Sequence, residues 1–340
     1  MNLKSLAEAL NLSQTTVSRA LNGYSDVSET TRLRVQRAAV QHDYRPSMRA
    51  KSLATGRAMT IGHVIPVTSG HEMVNPVFGD FIAGAGETYA AHGYDTLLKL
   101  VPDGEEERVY RDLKSRGTVD GIIIHGPRTN DPRIALLREI GLPFVVHGRA
   151  SDIDGGYAWL DINNKSAFER ATTFLLDLGH IRIALLNGLE DMDFAHRRRS
   201  GYLQALGDRQ ITADTSLMRS EEMTEIYGYR STMEMLAQDC PPTAILTSSM
   251  ITAIGVRRAL EQSGLQMGRD ISVITHDDDL SYLSNGDDVP IFTATRSSVR
   301  EAGRSCAQML LDYIHDPALP PVNQLLKVDL TLGQSTARPL

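Results

Sequence analysis

The spacing of apolar positions changes near residue 60, and the change divides the chain in two. Before it, Leu3, Leu6, Ala7 and Leu10 recur at i, i+3, i+4 and i+7. That is the stripe of an amphipathic helix over residues 3 to 10, with Asn2 placed to cap it. After a three-residue break, Ser13 caps a second helix from Gln14 to about Leu21, with Val17, Ala20 and Leu21 inward and Asn22-Gly23 as its stop. Ser28 opens a third helix over about Glu29 to His42, with Leu33, Val40 and, just beyond it, Tyr44 as apolar residues. Three short helices with so few apolar side chains bury little, so their outward faces are selected for something besides packing.

Beyond Arg57, short apolar runs alternate with helical stretches. The runs are TIGHVIPV (60–67), YDTLLKL (94–100), VDGIIIH (119–125), PFVVH (143–147), WLDI (159–162), IRIALLN (181–187), AILT (244–247), ISVITH (271–276) and FTAT (292–295). Strands interleaved with helices at this interval predict an α/β body of parallel sheets covered on both faces, long enough for two lobes. In open parallel sheets a ligand lies beyond the carboxyl ends of the strands. Those ends carry Ser69 to Phe78, His125, His147 to Arg149, Met192 to Arg198, Ser248-Ser249 and His276-Asp277-Asp278-Asp279.

Composition changes the picture mainly through charge. The 340 residues are 41% hydrophobic and 23% charged, an ordinary globular balance, with a net charge of -7. Residues 1 to 57 hold nine Lys/Arg against four acids, a local +5, whereas the rest holds 26 basic and 38 acidic residues, a net -12. A basic head on an acidic body suits a head that meets a polyanion. No apolar run reaches the roughly 20 residues of a spanning helix, and MNLKSLAEAL does not have the pattern of a signal peptide, so a cytoplasmic protein with no membrane contact is expected. Cys240 and Cys306 lack partners at metal or disulfide spacing and are expected as buried thiols.

Several motifs carry less than they promise. GAGETYAAHG (84–93) begins like a dinucleotide fingerprint, but Tyr89 stands at its third glycine and no strand precedes it, so it reads as helix packing. No G-x-x-x-x-G-K-S/T occurs, which excludes a P-loop. HDDD (276–279) follows a strand, where consecutive side chains diverge, so one carboxylate accepting ligand hydroxyls is a better reading than a metal site. No nucleophile, base and orienting group assemble at readable spacing, so no enzyme activity and no cofactor are expected. The second short helix, by contrast, carries Gln, Thr and Arg outward. Gln bonds adenine, the Thr methyl meets thymine and Arg forks onto guanine, which suits a helix-turn-helix whose second helix enters the major groove.

LSQTTVSRALNG (12–23), preceded by LKSLAEAL and followed by VSETTRLRVQRAAVQHDYRP, resembles the N-terminal domain of the LacI/GalR family of bacterial transcription regulators, without a gap from Leu3 to about Ile65. The resemblance implies that Gln14 and Thr15 choose the operator bases, that Arg19 is a further base contact, and that Thr16, Ser18, Asn22 and Tyr44 contact phosphate or pack. It also implies that PSMRAKSLATGR (46–57) is a hinge helix whose Leu53, paired with a second copy in a dimer, wedges into the minor groove. Pro46-Ser47 replaces the usual Pro-Asn there.

For the body, the resemblance implies the two-lobed fold of periplasmic sugar-binding proteins, with three crossing strands, placed near Trp159, Pro290 and Pro321. Arg198 matches the family's effector-binding arginine, with Arg197 and Arg199 solvated, and Asp277 matches its aspartate. Phe78 matches a residue that packs on the ligand. Ser249 stands where Asn is frequent and Gly148 where Asp is, leaving His147 and Arg149 as neighbours, so no known member's pocket transfers whole. The candidate effector set is Phe78, His147, Arg149, Met192, Arg198, Met223, Ser249 and Asp277.

The expected organisation is a helix-turn-helix domain over 1–45, a hinge over 46–57 and a body over 58–340. The N-lobe is about 58–158 with 291–320, and the C-lobe about 159–290 with 321–335. The expected function is a dimeric, sequence-specific repressor on double-stranded operator DNA, controlled by a small sugar or glycoside between the lobes. The alternatives are a nucleoside, purine or other metabolite as effector, or a plain solute-binding module.

Overall fold

In the computed structural model, which describes residues 1–21, 23–44, 56–67, 75–102 and 104–340, the chain forms two units, Met1–Met59 and Thr60–Leu340. In the first, the expected caps form. Asn2 Oδ1 accepts from Ser5 N at 2.9 Å and starts α1 (Leu3–Leu10). Ser13 Oγ accepts from Thr16 N at 3.0 Å ahead of α2 (Gln14–Leu21), and Ser28 Oγ accepts from Thr31 N at 3.3 Å ahead of α3 (Glu29–Gln41). Each bond satisfies one of the amide donors that a helix start leaves open. Leu6, Ala7 and Leu10 of α1, Val17 and Ala20 of α2, and Val35, Ala38 and Ala39 of α3 make the core. Leu33 and Val40 are exposed, contrary to the sequence expectation. Val35, Ala38 and Ala39 cluster on one side at 3.6 residues per turn, which turns Leu33 and Val40 to the other. The hinge segment through residue 55, Leu53 included, and Asn22 lie outside the described residues.

The second unit contains two six-stranded sheets. One joins β1 (Thr60–Val67), β2 (Asp95–Pro102), β3 (Gly121–His125), β4 (Phe144–His147), β5 (Ala158–Ile162) and β11 (Asn323–Leu326) in the order β11-β5-β4-β3-β1-β2, all parallel. The other joins β6 (Ile183–Asn187), β7 (Met218–Ser220), β8 (Ala244–Thr247), β9 (Ser272–Asp277), β10 (Thr293–Arg296) and β12 (Asp329–Thr331) in the order β12-β10-β9-β8-β6-β7, with β12 antiparallel. Helices α4 (Pro76–Ala91), α5 (Glu106–Ser115), α6 (Pro132–Glu139) and α11 (Val299–His315) belong to the first lobe. Helices α7 (Asn164–Leu178), α8 (Asp193–Asp208), α9 (Glu225–Leu236) and α10 (Met250–Gln262) belong to the second. Helices on both faces bury the central strands on both sides, so β3 reads as a nearly continuous apolar run, and the polar residues of β1 and β9, His63, Thr275 and His276 among them, are buried as well.

The chain crosses between lobes three times, each at a different point from that expected. It leaves the first sheet after Ile162 rather than near Trp159, because Trp159 pairs inside β5. It returns after Arg296 rather than near Pro290, because β10 pairs with β9. The third crossing follows β11, so residues 323–326 belong to the first lobe. Pairing in a parallel sheet is non-local and leaves no mark on a strand's own residues, so a crossing cannot be placed from the runs alone. Cys306 is buried as expected, but Cys240 is exposed, on a surface loop between α9 and β8. Among the described residues no helix is long and apolar enough to cross a membrane.

GAGETYAAHG is part of α4 and does serve packing. A Cβ on Gly84 would stand 2.0 Å from the Arg300 carbonyl oxygen, and one on Gly303 of α11 would stand 2.2 Å from that of Phe81. Neither backbone can yield without separating the helices. Gly303→Ala is therefore expected to cost about 3 kcal/mol or more, the upper end of overpacking penalties, read as a fall in the urea midpoint. An unchanged midpoint would show that the two helices do not need this contact.

Candidate functional site

On the first unit, α2 holds Val17 and Ala20 in the core, which leaves Gln14 and Thr15 exposed at its N-terminal end. Thr16 is half-buried, its hydroxyl 2.8 Å from Ser13 Oγ, so it serves the cap. Ser18 is half-buried. Arg19 is exposed but engaged: its guanidinium pairs with Asp26 at 2.9 Å and lies 5.3 Å from the Tyr24 ring centre. To reach a base edge it must leave Asp26.

On the second unit, Arg198 is the centre of the polar cleft floor. One turn into α8 and 5% exposed, it donates from Nε to Asn164 Oδ1 at 2.7 Å and from a terminal nitrogen to the Ser248 carbonyl. Phe168 and Phe194 flank the guanidinium, with ring centres at 5.1 and 5.0 Å. Burial pushes its pKa down to about 10 against the pull of Asp278 and Asp161, and it stays charged. Asn164 also donates to Asp161 Oδ1 at 3.2 Å, and Arg149 Nε donates to Asp161 Oδ2 at 2.9 Å. Burial pushes the Asp161 carboxyl up to about 6, opposed by Arg149 and Arg197. A continuous polar chain thus runs from Arg149 at the end of β4, through Asp161 at the first crossing, to Arg198 and the end of β8.

The facing wall, from the first lobe, is aromatic and imidazole. His147 stacks on Phe81 with ring centres 4.3 Å apart, and His125 meets Phe78 and Phe81 edge-on at 5.1 and 4.8 Å. Behind them, wholly buried His63 places Nδ1 2.8 Å from His125 Nε2 and Nε2 3.2 Å from the Tyr89 hydroxyl. Burial pushes His147 down to about 4 and His63 to about 3, and holds His125 well below its ordinary value, so all three are neutral at pH 7.

The remaining candidates divide. Asp278, rather than Asp277, is the carboxylate whose charge acts on both Arg198 and His147. Burial raises its pKa, but His276, Arg198 and His147 outweigh that and hold it below the ordinary value. Asp277 ends β9, where the next residue points to the opposite side. Its Oδ1 accepts from Asp279 N at 2.9 Å, and it lines a separate concavity of about 720 Å³ with Arg296 and Arg300. Ser249 is consumed as the cap of α10, accepting from Ile251 N at 3.1 Å. Met192 is the cap position of α8 and bridges to Arg128, while Met223 and Phe194 crowd the face of Gly188. Arg197 is not solvated: it pairs with buried Asp193. Among the described residues no three His, Cys, Asp or Glu side chains converge to hold a metal ion.

Two carboxylates clamp the lobes together. Asp193 of α8 accepts from Ser151 N at 2.8 Å and from its hydroxyl, and Asp193 N donates to the Pro127 carbonyl at 2.9 Å. Asp80 of α4 accepts from Ser281 N at 2.6 Å and pairs with Arg300 at 3.3 Å. Neither aspartate announces itself in the sequence, nor do Asp161, Asn164, His63 or Tyr89. The one available signal was D-x-N-N over 161–164 at a lobe crossing.

A three-helix reader with exposed Gln and Thr, together with two parallel-sheet lobes closing on a polar and aromatic cleft, defines a DNA-binding transcription regulator with an effector-binding body. The chain belongs to the LacI family. Its residues 2–47 match the family of bacterial regulatory proteins, lacI family, and residues 59–327 match that of periplasmic binding proteins and sugar binding domain of LacI family. It is 43% identical to the HTH-type transcriptional regulator AglR of Rhizobium meliloti (strain 1021), over 99% of this chain and 94% of that one. Among solved structures it is similar to the lac repressor dimer bound to operator and the anti-inducer ONPF, with TM-score 0.84 and 27% identity over 99% of each chain. It is also similar to a transcriptional regulator CelR–cellobiose complex, with TM-score 0.72 and 26% identity over 98% of this chain and 99% of that one.

Proposed function

We propose that the protein is a homodimeric repressor whose hold on operator DNA is set by a neutral sugar or glycoside bound between the two lobes. The observation that carries this is a buried, charged Arg198, held by Asn164 and the Ser248 carbonyl and offset by the charge of Asp278, beside an uncharged wall of Phe78, Phe81, His125 and His147. Such a cleft offers donors and an acceptor for hydroxyls and flat rings for a sugar face, with no surplus charge for an ionic ligand. A cellobiose complex and an operator-bound dimer among its structural relatives support both halves of the reading. Because Asp193 and Asp80 join the lobes, a ligand that prefers the clamped state shifts the lobes' equilibrium and, through residues 46–57, the DNA-binding head. In this scheme Leu53 supplies the minor-groove wedge, residues 1–45 read the operator, and residues from 58 bind effector and pair the protomers.

A thermal-shift screen of neutral mono- and disaccharides against nucleosides tests the effector class on the full chain. A sugar at 100 times its dissociation constant adds about 2.7 kcal/mol of stability. Stabilisation by nucleosides alone would replace the sugar reading.

Gln14 and Thr15 are the proposed base readers. Exchanging the pair for those of another specificity is expected to change the preferred operator bases by about 1 to 3 kcal/mol per position, scored by selection from a randomised half-site. Log affinity should also fall against log salt with a slope of about −0.9 per phosphate neutralised. Reduced affinity with the same preferred bases would make both residues structural.

A further inference from the structure

We infer that Tyr89 and His63 lock His125 in the tautomer protonated at Nδ1, so that the first lobe's wall presents a neutral N–H donor to an acceptor oxygen of the effector. Only the last step, what meets the donor, rests on reading the cleft as the effector site.

The direction of the chain follows from hydrogen-bond capacity. Tyr89 is 1% exposed, and its hydroxyl's one hydrogen-bond partner among the described residues is His63 Nε2, at 3.2 Å. If it accepted from His63, its own O–H would have no acceptor, a penalty that buried donors avoid. It therefore donates, and His63 Nε2 is the unprotonated nitrogen. A neutral imidazole carries one proton, so His63 is protonated at Nδ1, which donates to His125 Nε2 at 2.8 Å. His125 Nε2, as the acceptor, is unprotonated, and the ring's proton is on Nδ1. The reverse order, from His125 through His63 to Tyr89, would leave the cleft with a bare acceptor instead of a donor and strand the phenol proton.

The neutrality on which this depends has its own support. His63 has no exposed surface, and the charged or titratable groups around His125 are His63, His147 and Arg133, whose influence disfavours a second proton on the ring. Arg133 donates to the His125 carbonyl at 3.1 Å and fixes the backbone there. His125 itself is half-buried at the cleft end of β3, and the two nitrogens of an imidazole point to nearly opposite sides of the ring. With Nε2 turned inward to His63, Nδ1 is turned outward and has no partner among the described residues. A donor set in advance in this way is always in the correct form, whereas a freely tautomerising histidine would present it only part of the time. Tyr89 and His63 are positioning residues here. Neither reaches the cleft.

The test is a long-range proton–nitrogen NMR correlation spectrum of the full chain carrying nitrogen-15 histidine, recorded without ligand, with His125→Asn to assign the His125 signals. His125 and His63 are each expected to show a protonated Nδ1 and an unprotonated Nε2. Tyr89→Phe, which removes the first proton of the chain, is expected to shift or broaden both patterns toward a mixture of tautomers. A purely structural tyrosine would leave them in place. A His125 protonated at Nε2, or a Tyr89→Phe spectrum with both tautomers unchanged, would overturn the inference. Cellobiose, then the other neutral sugars of the screen, are added last. If the ligand-free spectra are as expected but no sugar moves the His125 Nδ1 signal, the relay stands and the sugar reading of the cleft fails.

Discussion

Replacing Arg198 with Met is expected to abolish the effector response while leaving operator binding in place. The guanidinium donates to Asn164 and to the Ser248 carbonyl, lies between Phe168 and Phe194, and is a counter-charge for Asp278. Methionine fills the aromatic slot but strands an amide oxygen, a carbonyl and a carboxylate in a buried site. Breaking a buried charged network from one side costs about 3 to 5 kcal/mol. Arg198→Lys keeps the charge and loses the planar fork, so it restores stability in part and the response poorly. The measurement is operator affinity by fluorescence anisotropy, with and without the sugar that stabilises the wild type, beside urea midpoints of all three proteins. A methionine variant that still releases operator on adding that sugar would remove Arg198 from the site.

Acidification from pH 7 to 5 is expected to destabilise the body by several kcal/mol. His63, His125, His147, His180 and His276 all have folded pKa values lowered by burial, to about 3 for His63 and about 4 for His147. Below about 6.5 the unfolded chain takes up protons that the folded one refuses, so stability present above that value is lost as pH falls toward the folded values. His63, with no exposed surface, contributes roughly 2 kcal/mol of this loss by pH 5. Asp161 acts in the opposite sense. Its folded value, raised to about 6, lets the native state take up a proton first and offsets roughly 1 kcal/mol over the same interval. Urea midpoints at half-unit steps of pH give the slope, and His63→Gln should flatten it by about one proton. A midpoint constant from pH 7 to 5 would mean that these histidines are not held neutral by the fold.

The two expectations concern one design. The cleft joins a charged floor to an uncharged wall, and the wall's neutrality depends on burying imidazoles that water would protonate in mild acid. Stability is surrendered at low pH in exchange for a fixed hydrogen-bonding pattern at neutral pH, consistent with polar functional sites built into an apolar sheet core.

Much of the scaffold was legible in the residues themselves. Asn2, Ser13 and Ser28 cap their helices through bonds that span only three positions, so a short window of sequence contains both partners. Central strands β3, β6 and β8 were legible to within two residues because burial on both faces leaves an apolar signature, whereas β7, β11 and β12 carry no such signature and have no run in the sequence. That Arg198 is buried beside Asn164, and that Asp278 rather than Asp277 acts on its charge, is not legible locally, because which of two adjacent carboxylates turns toward it depends on the phase in which β9 ends. His63 was invisible, one polar letter inside TIGHVIPV.

By itself, then, the sequence determined the kinds of element, the basic head and acidic body, and the short second helix with Gln14 and Thr15 on its outer face. These are local patterns or whole-chain sums. Only the tertiary structure decided where the chain crosses between lobes, which aspartate faces Arg198, that Asp80 and Asp193 clamp the lobes, and that Tyr89, His63 and His125 form one chain. Each of those depends on residues from separate strands and helices meeting in a particular register. Register is set by how sheets and helices pack together, which no segment of the chain contains alone.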